Sequence, residues 1–232
     1  MATQEWPAKE YAIGSYIQNS VADKYFNRLK IKPTDKILDV GCGTGGYTQK
    51  IISKVPQGSV LGIDTSLNML HIAEGLCQNH PNFTTKKLDV LNMHFAASFD
   101  YIVSFWCLQW TKNIQLAFTN MTHALTKKGK IFAIFPVGDD PFINGHLALK
   151  KTNAFPCLKH FKEPVDYSLF DNLAEQLEAI PKIQLQVELR KQSIILPSLD
   201  VYRKFVNGIG FYQGQIPDPE IKQINEALTQ YF

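Results

Sequence analysis

No stretch of the sequence approaches the roughly 18 consecutive apolar residues that a membrane span needs, and the first residues, MATQEWPAKEY, lack the basic start and apolar core of a secretory signal. A cytoplasmic protein with no membrane partner is the expectation. Charge is sparse: 19% of the 232 residues are charged, and 24 Lys and Arg against 21 Asp and Glu leave a formal charge of +3. That balance excludes the clustered basic surface on which nucleic-acid binding depends, so no nucleic-acid partner is expected. The four cysteines, Cys42, Cys77, Cys107 and Cys157, form no CxxC pair and lie in or beside apolar segments. They read as free thiols in a reducing compartment. Six histidines without HExxH or comparable spacing point to no metal site. Nothing in the composition fixes an oligomeric state.

What is present is a 45% hydrophobic chain with dispersed Gly and Pro, enough for one large domain with a substantial core. From Lys36 to Phe135, short β-like runs alternate with helical patterns. KILDVG (36–41), SVLGID (59–64), FTTKKLDV (83–90), FDYIVSFW (99–106) and KKGKIFAIFPV (127–137) read as strands. YTQKIISKV (47–55), a segment opening after Thr65 or Ser66 and running to about Asn79, and IQLAFTNMTHAL (114–125) read as helices. This alternation predicts an α/β fold, a doubly wound, mostly parallel sheet with helices on both faces. Residues 1–33 form a helical N-terminal segment, 34–137 the sheet core, and 138–232 an acceptor-side cap. In the cap, helices are expected near 145–153, 168–179, 199–207 and 219–231, with one long β-like run, IQLQVELRKQSIIL (183–196).

The sharpest local signal is LDVGCGTGGYT (38–48), at the junction of the first strand and first helix. Gly41, Gly43 and Gly45 permit a tight turn and close approach of a ligand, and the helix beyond offers unpaired N–H donors. Gly41, Gly43 and Gly46 also satisfy GxGxxG, which alone fits a dinucleotide as well. Asp39 stands inside the end of the first strand, where a carboxylate suits a cationic ligand better than a pyrophosphate. Asp64, ending the second strand, is placed to accept the two hydroxyls of a ribose. Asp89, at the end of the third, can accept from an adenine amino group. The third acid favours S-adenosylmethionine, and the absence of any Tyr-x-x-x-Lys pair removes one common dehydrogenase signature.

LDVGCGTG followed by GIDTS, LDV and the KKGK turn resembles the class I S-adenosylmethionine-dependent methyltransferases over roughly residues 34–137. SFWCLQW (104–110) is similar to the fourth-strand segment of small-molecule carboxyl methyltransferases of the trans-aconitate, malonyl-carrier-protein and juvenile hormone acid group, and YAIGSYIQ (11–18) resembles the Tyr-x6-Gln opening of the last. The resemblance implies a Rossmann-like core, S-adenosyl-L-methionine as cofactor with S-adenosyl-L-homocysteine as product, and a small-molecule acceptor, a carboxylic acid. It implies that Gln18 and Trp110 orient the acceptor, that Tyr11 and Tyr16 close over the methionine end of the cofactor, that Thr65 and Val90 join Asp64 and Asp89 in holding it, and that the Ser104 carbonyl lies near the methyl donor. In this superfamily a sixth strand pairs with an antiparallel seventh near the C-terminus, whereas here the last residues read as a helix; the expectation is either that 183–196 breaks at ELRKQ (188–192) into one strand and part of another, or that the chain is truncated or has lost the seventh strand.

A carboxylic acid is ionised at neutral pH, its reference pKa being about 4, so such transfer needs no general base. An amine or phenol acceptor would ask for one, and His94, His123 or His146 would be the candidates. Aromatic residues in the flanks, among them Phe142, Phe205 and Phe211, favour an apolar acceptor, while the chain's three Arg, 28, 190 and 203, are unclustered and disfavour a tricarboxylate. A carrier-bound acyl group and a cofactor-binding protein without turnover are the alternatives.

Overall fold

The computed structural model describes residues 5–181 and 184–231. Five strands form one parallel sheet in the order β3-β2-β1-β4-β5, with β1 Lys36–Val40, β2 Ser59–Asp64, β3 Phe83–Lys87, β4 Phe99–Phe105 and β5 Leu125–Ile134. Strand order reverses between β1 and β4, so their carboxyl ends frame the crevice in which open α/β sheets bind ligands.

Alternation along the strands builds two cores. Ile37 of β1 and Tyr101, Val103 and Phe105 of β4 enter one cluster, while Leu38, Val40 and Ile102 enter the cluster on the opposite face. The first cluster is covered by α2 (Tyr16–Phe26) and α3 (Thr48–Ile52), the second by α5 (Ile114–Ala124) through Ala117, Phe118 and Met121. Helix α4 (Leu67–Cys77) starts where Ser66 accepts from the Met69 N–H, one of the donors a helix start leaves unpaired.

A third cluster forms the C-terminal cap from α6 (Pro141–Lys151), α8 (Leu199–Gly208), α9 (Asp218–Leu228) and the Phe211–Tyr212 turn. Helix α6 starts four residues before the sequence expectation, because Asp140 caps the Phe142 N–H and Pro141 fits the first turn. The helix expected at 168–179 is instead a 3₁₀ turn, Tyr167–Phe170, then α7, Leu173–Glu178. Asn172 interrupts it at φ +55. The cap joins the N-terminal segment by backbone contact: α1 (Ala8–Gly14) crosses α8 at Gly14 and Gly208, where an added Cβ would lie 2.1 Å from the Lys204 carbonyl and 2.8 Å from the Tyr11 Cα.

The β-like run at 183–196 is a correction. Ile183 lies outside the described residues, and 184–196 forms no strand. The segment is fastened by side chains, Arg28 to Glu188 at 3.0 Å and Gln192 to the Tyr25 hydroxyl at 2.8 Å, and leaves Leu189 and Ile195 exposed. Strand propensity is realised only against a partner strand, and among the described residues β5 pairs only with β4. No helix among these residues is long and apolar enough to cross a membrane.

Candidate active site

The glycine loop takes the left-handed conformation at Gly41 (φ +75), Gly43 (φ +54) and Gly45 (φ +78). At Gly41 the demand is double, since a Cβ there would fall 2.3 Å from the Cys107 Sγ. Backbone N–H groups of Gly41 and Cys42 both donate to the Ile63 carbonyl, at 2.8 and 3.1 Å, which folds the loop over the end of β2.

Two carboxylates stand under this loop. Asp39 is buried and accepts from the Thr48 hydroxyl at 2.7 Å. Burial pushes its carboxyl up to about 7, against the pull of the Thr48 bond, with the nearby Asp64 charge adding to the rise. Asp64 accepts from the Gly43 N–H at 3.0 Å and the Ser66 N–H at 2.9 Å. Burial raises its carboxyl too, with backbone donors of Ser66, Gly43 and Thr65 opposing. A carboxylate has about four lone-pair sites, so acceptor capacity remains beyond these N–H bonds. Asp89 caps the turn Val90–Asn92 through the Leu91 N–H at 2.9 Å, using one oxygen.

Gly41, Asp64, Thr65, Asp89, Val90 and Trp110 line one cavity of ≈ 180 Å³ with Cys107 and Lys112. Three acids beside a closely approachable glycine loop suit a ligand that combines a cationic centre with hydroxyls and an amino group. Lys112 also donates to the Pro164 carbonyl. No His is among the lining residues, and among the described residues no group of three or more His, Cys, Asp or Glu could hold a metal ion.

The N-terminal segment crosses this cleft. Tyr11 reaches the loop, its ring 3.8 Å from where a Gly43 Cβ would be. Burial raises its hydroxyl, reinforced by Asp64, Cys107 and Asp39. Trp6 meets Tyr11 edge-on at 5.7 Å and Trp110 at 4.9 Å. Glu5 holds the segment down: its carboxylate accepts from the Ser66 hydroxyl at 2.8 Å and from the N–H groups of Leu67 and Asn68 at 3.2 and 3.1 Å, at the start of α4. Glu5 and Trp6 carry no motif, so the sequence reading had no signal for them.

Tyr16 is placed elsewhere. It begins α2 after the break at Ser15, is 40% exposed, and does not line the cleft. Ser104 turns its hydroxyl to the Val40 carbonyl at 2.9 Å, tying β4 to β1 at the crevice. Of the two residues expected to orient the acceptor, Trp110 lines the cavity and Gln18 is not among its lining residues; the backbone carbonyl of Gln18 accepts the Trp106 indole N–H at 3.1 Å. Trp106, at φ +57, turns the chain out of β4 and was missed in sequence because a left-handed non-glycine residue leaves no pattern.

Residues 37–129 match a family described as a methyltransferase domain. The 235L protein of Invertebrate iridescent virus 6, assigned to the methyltransferases by name, is 29% identical over 165 residues, covering 70% of this chain and 60% of the viral protein. Juvenile hormone acid O-methyltransferase of Drosophila melanogaster is 24% identical over 195 residues, covering 79% of this chain and 66% of that one. The chain thus spans less than two thirds of the length of either relative. Among solved structures, an S-adenosylmethionine-dependent methyltransferase of Aquifex aeolicus superposes with a TM-score of 0.51 at 17% identity, covering 58% of this chain and 75% of the other. At that identity the likeness concerns the fold.

Proposed function

We propose that the chain, whose residues 37–129 match a methyltransferase domain, is a class I S-adenosylmethionine-dependent methyltransferase that methylates a carboxylate oxygen of a small, largely apolar acid. The single observation that carries this reading is the place of Trp110. Trp110, whose indole N–H is a donor with no acceptor function, is among the residues that line the same cleft as Gly41, Asp64 and Asp89, while no His is among them to serve as a base. The Drosophila relative, an acid O-methyltransferase by name, supports the same acceptor class.

Bound in the cleft, the cofactor supplies an electrophilic methyl group on a cationic sulfur. The chain's work is orientation and exclusion of water. Asp39 and Asp64 supply the negative potential that suits the cofactor's cationic groups, Asp64 has lone pairs left for ribose hydroxyls, and Asp89 has an oxygen left for an adenine amino group. Thr65 and Val90 wall the cavity between them. Tyr11 and Trp6 cover the cleft from above. Trp110 and the side-chain amide of Gln18 donate to the acceptor's carboxylate and aim one oxygen along the line of transfer. Residues 1–33 act as lid, 34–137 as cofactor core and 138–232 as acceptor cap.

A methyl-transfer screen across acids, amines and phenols tests the reading. Turnover confined to acids, and reduced at least about tenfold by Trp110→Phe, is expected; turnover confined to amines or phenols would overturn the carboxylate assignment.

A further inference from the structure

The cleft carries a positive charge that no side chain neutralises. Among the described residues that line it, Lys112 is the one with a cationic side chain, two residues past Trp110 and exposed to solvent. Its ammonium donates to the Pro164 carbonyl, a neutral group, and among the described residues no carboxylate forms an ion pair with it. Asp166, which feels the charge, turns one oxygen instead to the Ser168 N–H at 3.0 Å and the Ser168 hydroxyl at 2.6 Å. An ammonium has three N–H donors, so two of them remain.

Two observations put this charge where the cleft meets the cap. Trp110 lines the cleft and also packs against the aromatic cluster of the cap. The loop that receives Lys112 belongs to the same cap and is braced there: Lys150 donates to the Phe161 carbonyl at 3.0 Å and to Glu163 at 2.6 Å, and the Gln215 amide exchanges two bonds with the Lys162 backbone, at 3.0 and 2.8 Å. A braced carbonyl holds the ammonium in place without cancelling its charge. The lining acids stand on other walls, Asp64 at the end of β2 and Asp89 after β3.

An ammonium without a counter-ion, close in the chain to an indole N–H, fits a carboxylate, since both groups donate and one is charged. Trp110 alone would hold an acid and its amide about equally well; the charge is what tells them apart. We propose that Lys112 is the specificity-determining residue of the acceptor site, pairing with the acid's carboxylate and repelling a cationic amine. This rests on the carboxylate reading above and deepens it by naming the residue that enforces it. Pairing through one oxygen leaves the other for the methyl group, and the methyl ester, being neutral, is no longer held. The methionine part of the cofactor is the second source of a carboxylate in this cleft, and the two are separated by experiment.

The test titrates medium-chain carboxylates, their primary amides and the matching amines into the full chain saturated with S-adenosylhomocysteine, and into Lys112→Gln and Lys112→Arg. The Gln variant keeps an N–H donor for Pro164 and loses the charge; the Arg variant keeps both. The full chain is expected to bind an acid at least about tenfold more tightly than its amide, the worth of a charge-assisted hydrogen bond. Lys112→Gln should bring that ratio toward one and admit the amine, Lys112→Arg should restore most of it, and affinity for S-adenosylhomocysteine should change less than about twofold. Because the ratio is taken within one protein, a general loss of packing in a variant cancels. No binding of any acid, a ratio near one in the full chain, a ratio that survives Lys112→Gln, or equal impairment of both variants overturns the proposal. So does a loss of S-adenosylhomocysteine affinity in Lys112→Gln that its decarboxylated analogue does not show, which would make the cofactor's carboxylate the partner. Turnover keeps the two readings apart: if acids bind through Lys112 and only amines or phenols are methylated, the carboxylate-methylation reading fails while Lys112 keeps its role as the carboxylate partner, and if acids are methylated with KM unchanged by Lys112→Gln, the role of Lys112 fails by itself.

Discussion

The indole N–H of Trp106 donates to the backbone carbonyl of Gln18 at 3.1 Å, across 88 residues of sequence. This one bond joins the exit of the central strand β4 to helix α2 and so fixes the N-terminal segment relative to the crevice. Trp106→Phe keeps most of the ring and loses the bond. It is expected to cost about 1 kcal/mol of stability and to lower kcat more than it weakens S-adenosylhomocysteine binding. Urea melts and steady-state kinetics check this; an equal effect on kcat and on product affinity would contradict it.

Asp39 is buried where its carboxyl is held up to about 7, against an ordinary value near 4. Since the folded value lies above the unfolded one, the folded chain keeps a proton that the unfolded chain has released. Stability from this group is present at low pH and lost as pH rises through about 7. Asp39→Asn is therefore expected to raise the melting temperature of the unliganded protein at pH 8 while abolishing cofactor binding. In the unaltered chain, S-adenosylhomocysteine should bind about tenfold more weakly at pH 6 than at pH 8, because only the ionised carboxylate suits a cationic group. Calorimetry at the two pH values measures this, and a flat profile would count against Asp39 as a ligand to the cofactor.

Glu5 caps the start of α4 from a distance of more than 60 residues in sequence. Glu5→Ala is expected to cost about 1 kcal/mol, as lost caps do, and to speed release of S-adenosylhomocysteine several-fold by freeing the segment that carries Trp6 and Tyr11 over the cleft. Stopped-flow fluorescence reads the release rate, and an unchanged rate would deny the segment its role as a lid.

His146 is fully enclosed in the cap, between the Tyr212 hydroxyl at 2.9 Å and Glu163 at 3.1 Å, with Lys150 also on Glu163. Burial lowers its imidazole below the ordinary value of 6.5, and the Glu163 hydrogen bond opposes this only partly. The unfolded chain then takes up the proton first as pH falls, so stability is retained above pH 6.5 and lost progressively below it. Thermal melts between pH 7.5 and 5 should show this decline, and His146→Gln should flatten it. A decline of equal slope in the variant would assign the effect to other groups.

The sheet core was legible in the sequence because period-two and helical patterns report burial directly. Ile37, Leu38 and Val40 declare the two faces of β1, and LDVGCGTGG declares a turn that only glycine makes easily. The acids followed from their places at strand ends. What escaped the sequence was contact between distant segments. Glu5 at the start of α4, Trp6 against Trp110 and Trp106 on Gln18 depend on how the N-terminal helices dock, and that docking turns on close backbone approach at Gly14 and Gly208. The run at 184–196 misled because its alternation is real while its pairing partner is not supplied by β5.

The central claim is that the cleft beneath Gly41, Asp64 and Asp89 binds an S-adenosyl cofactor. Isothermal titration of the full chain with S-adenosylhomocysteine tests it most directly. Binding with a Kd on the order of micromolar, a free energy near 8 kcal/mol, weakened at least about tenfold by Asp64→Ala, is the predicted result. The absence of binding by the intact protein, or binding untouched by Asp64→Ala, would contradict it.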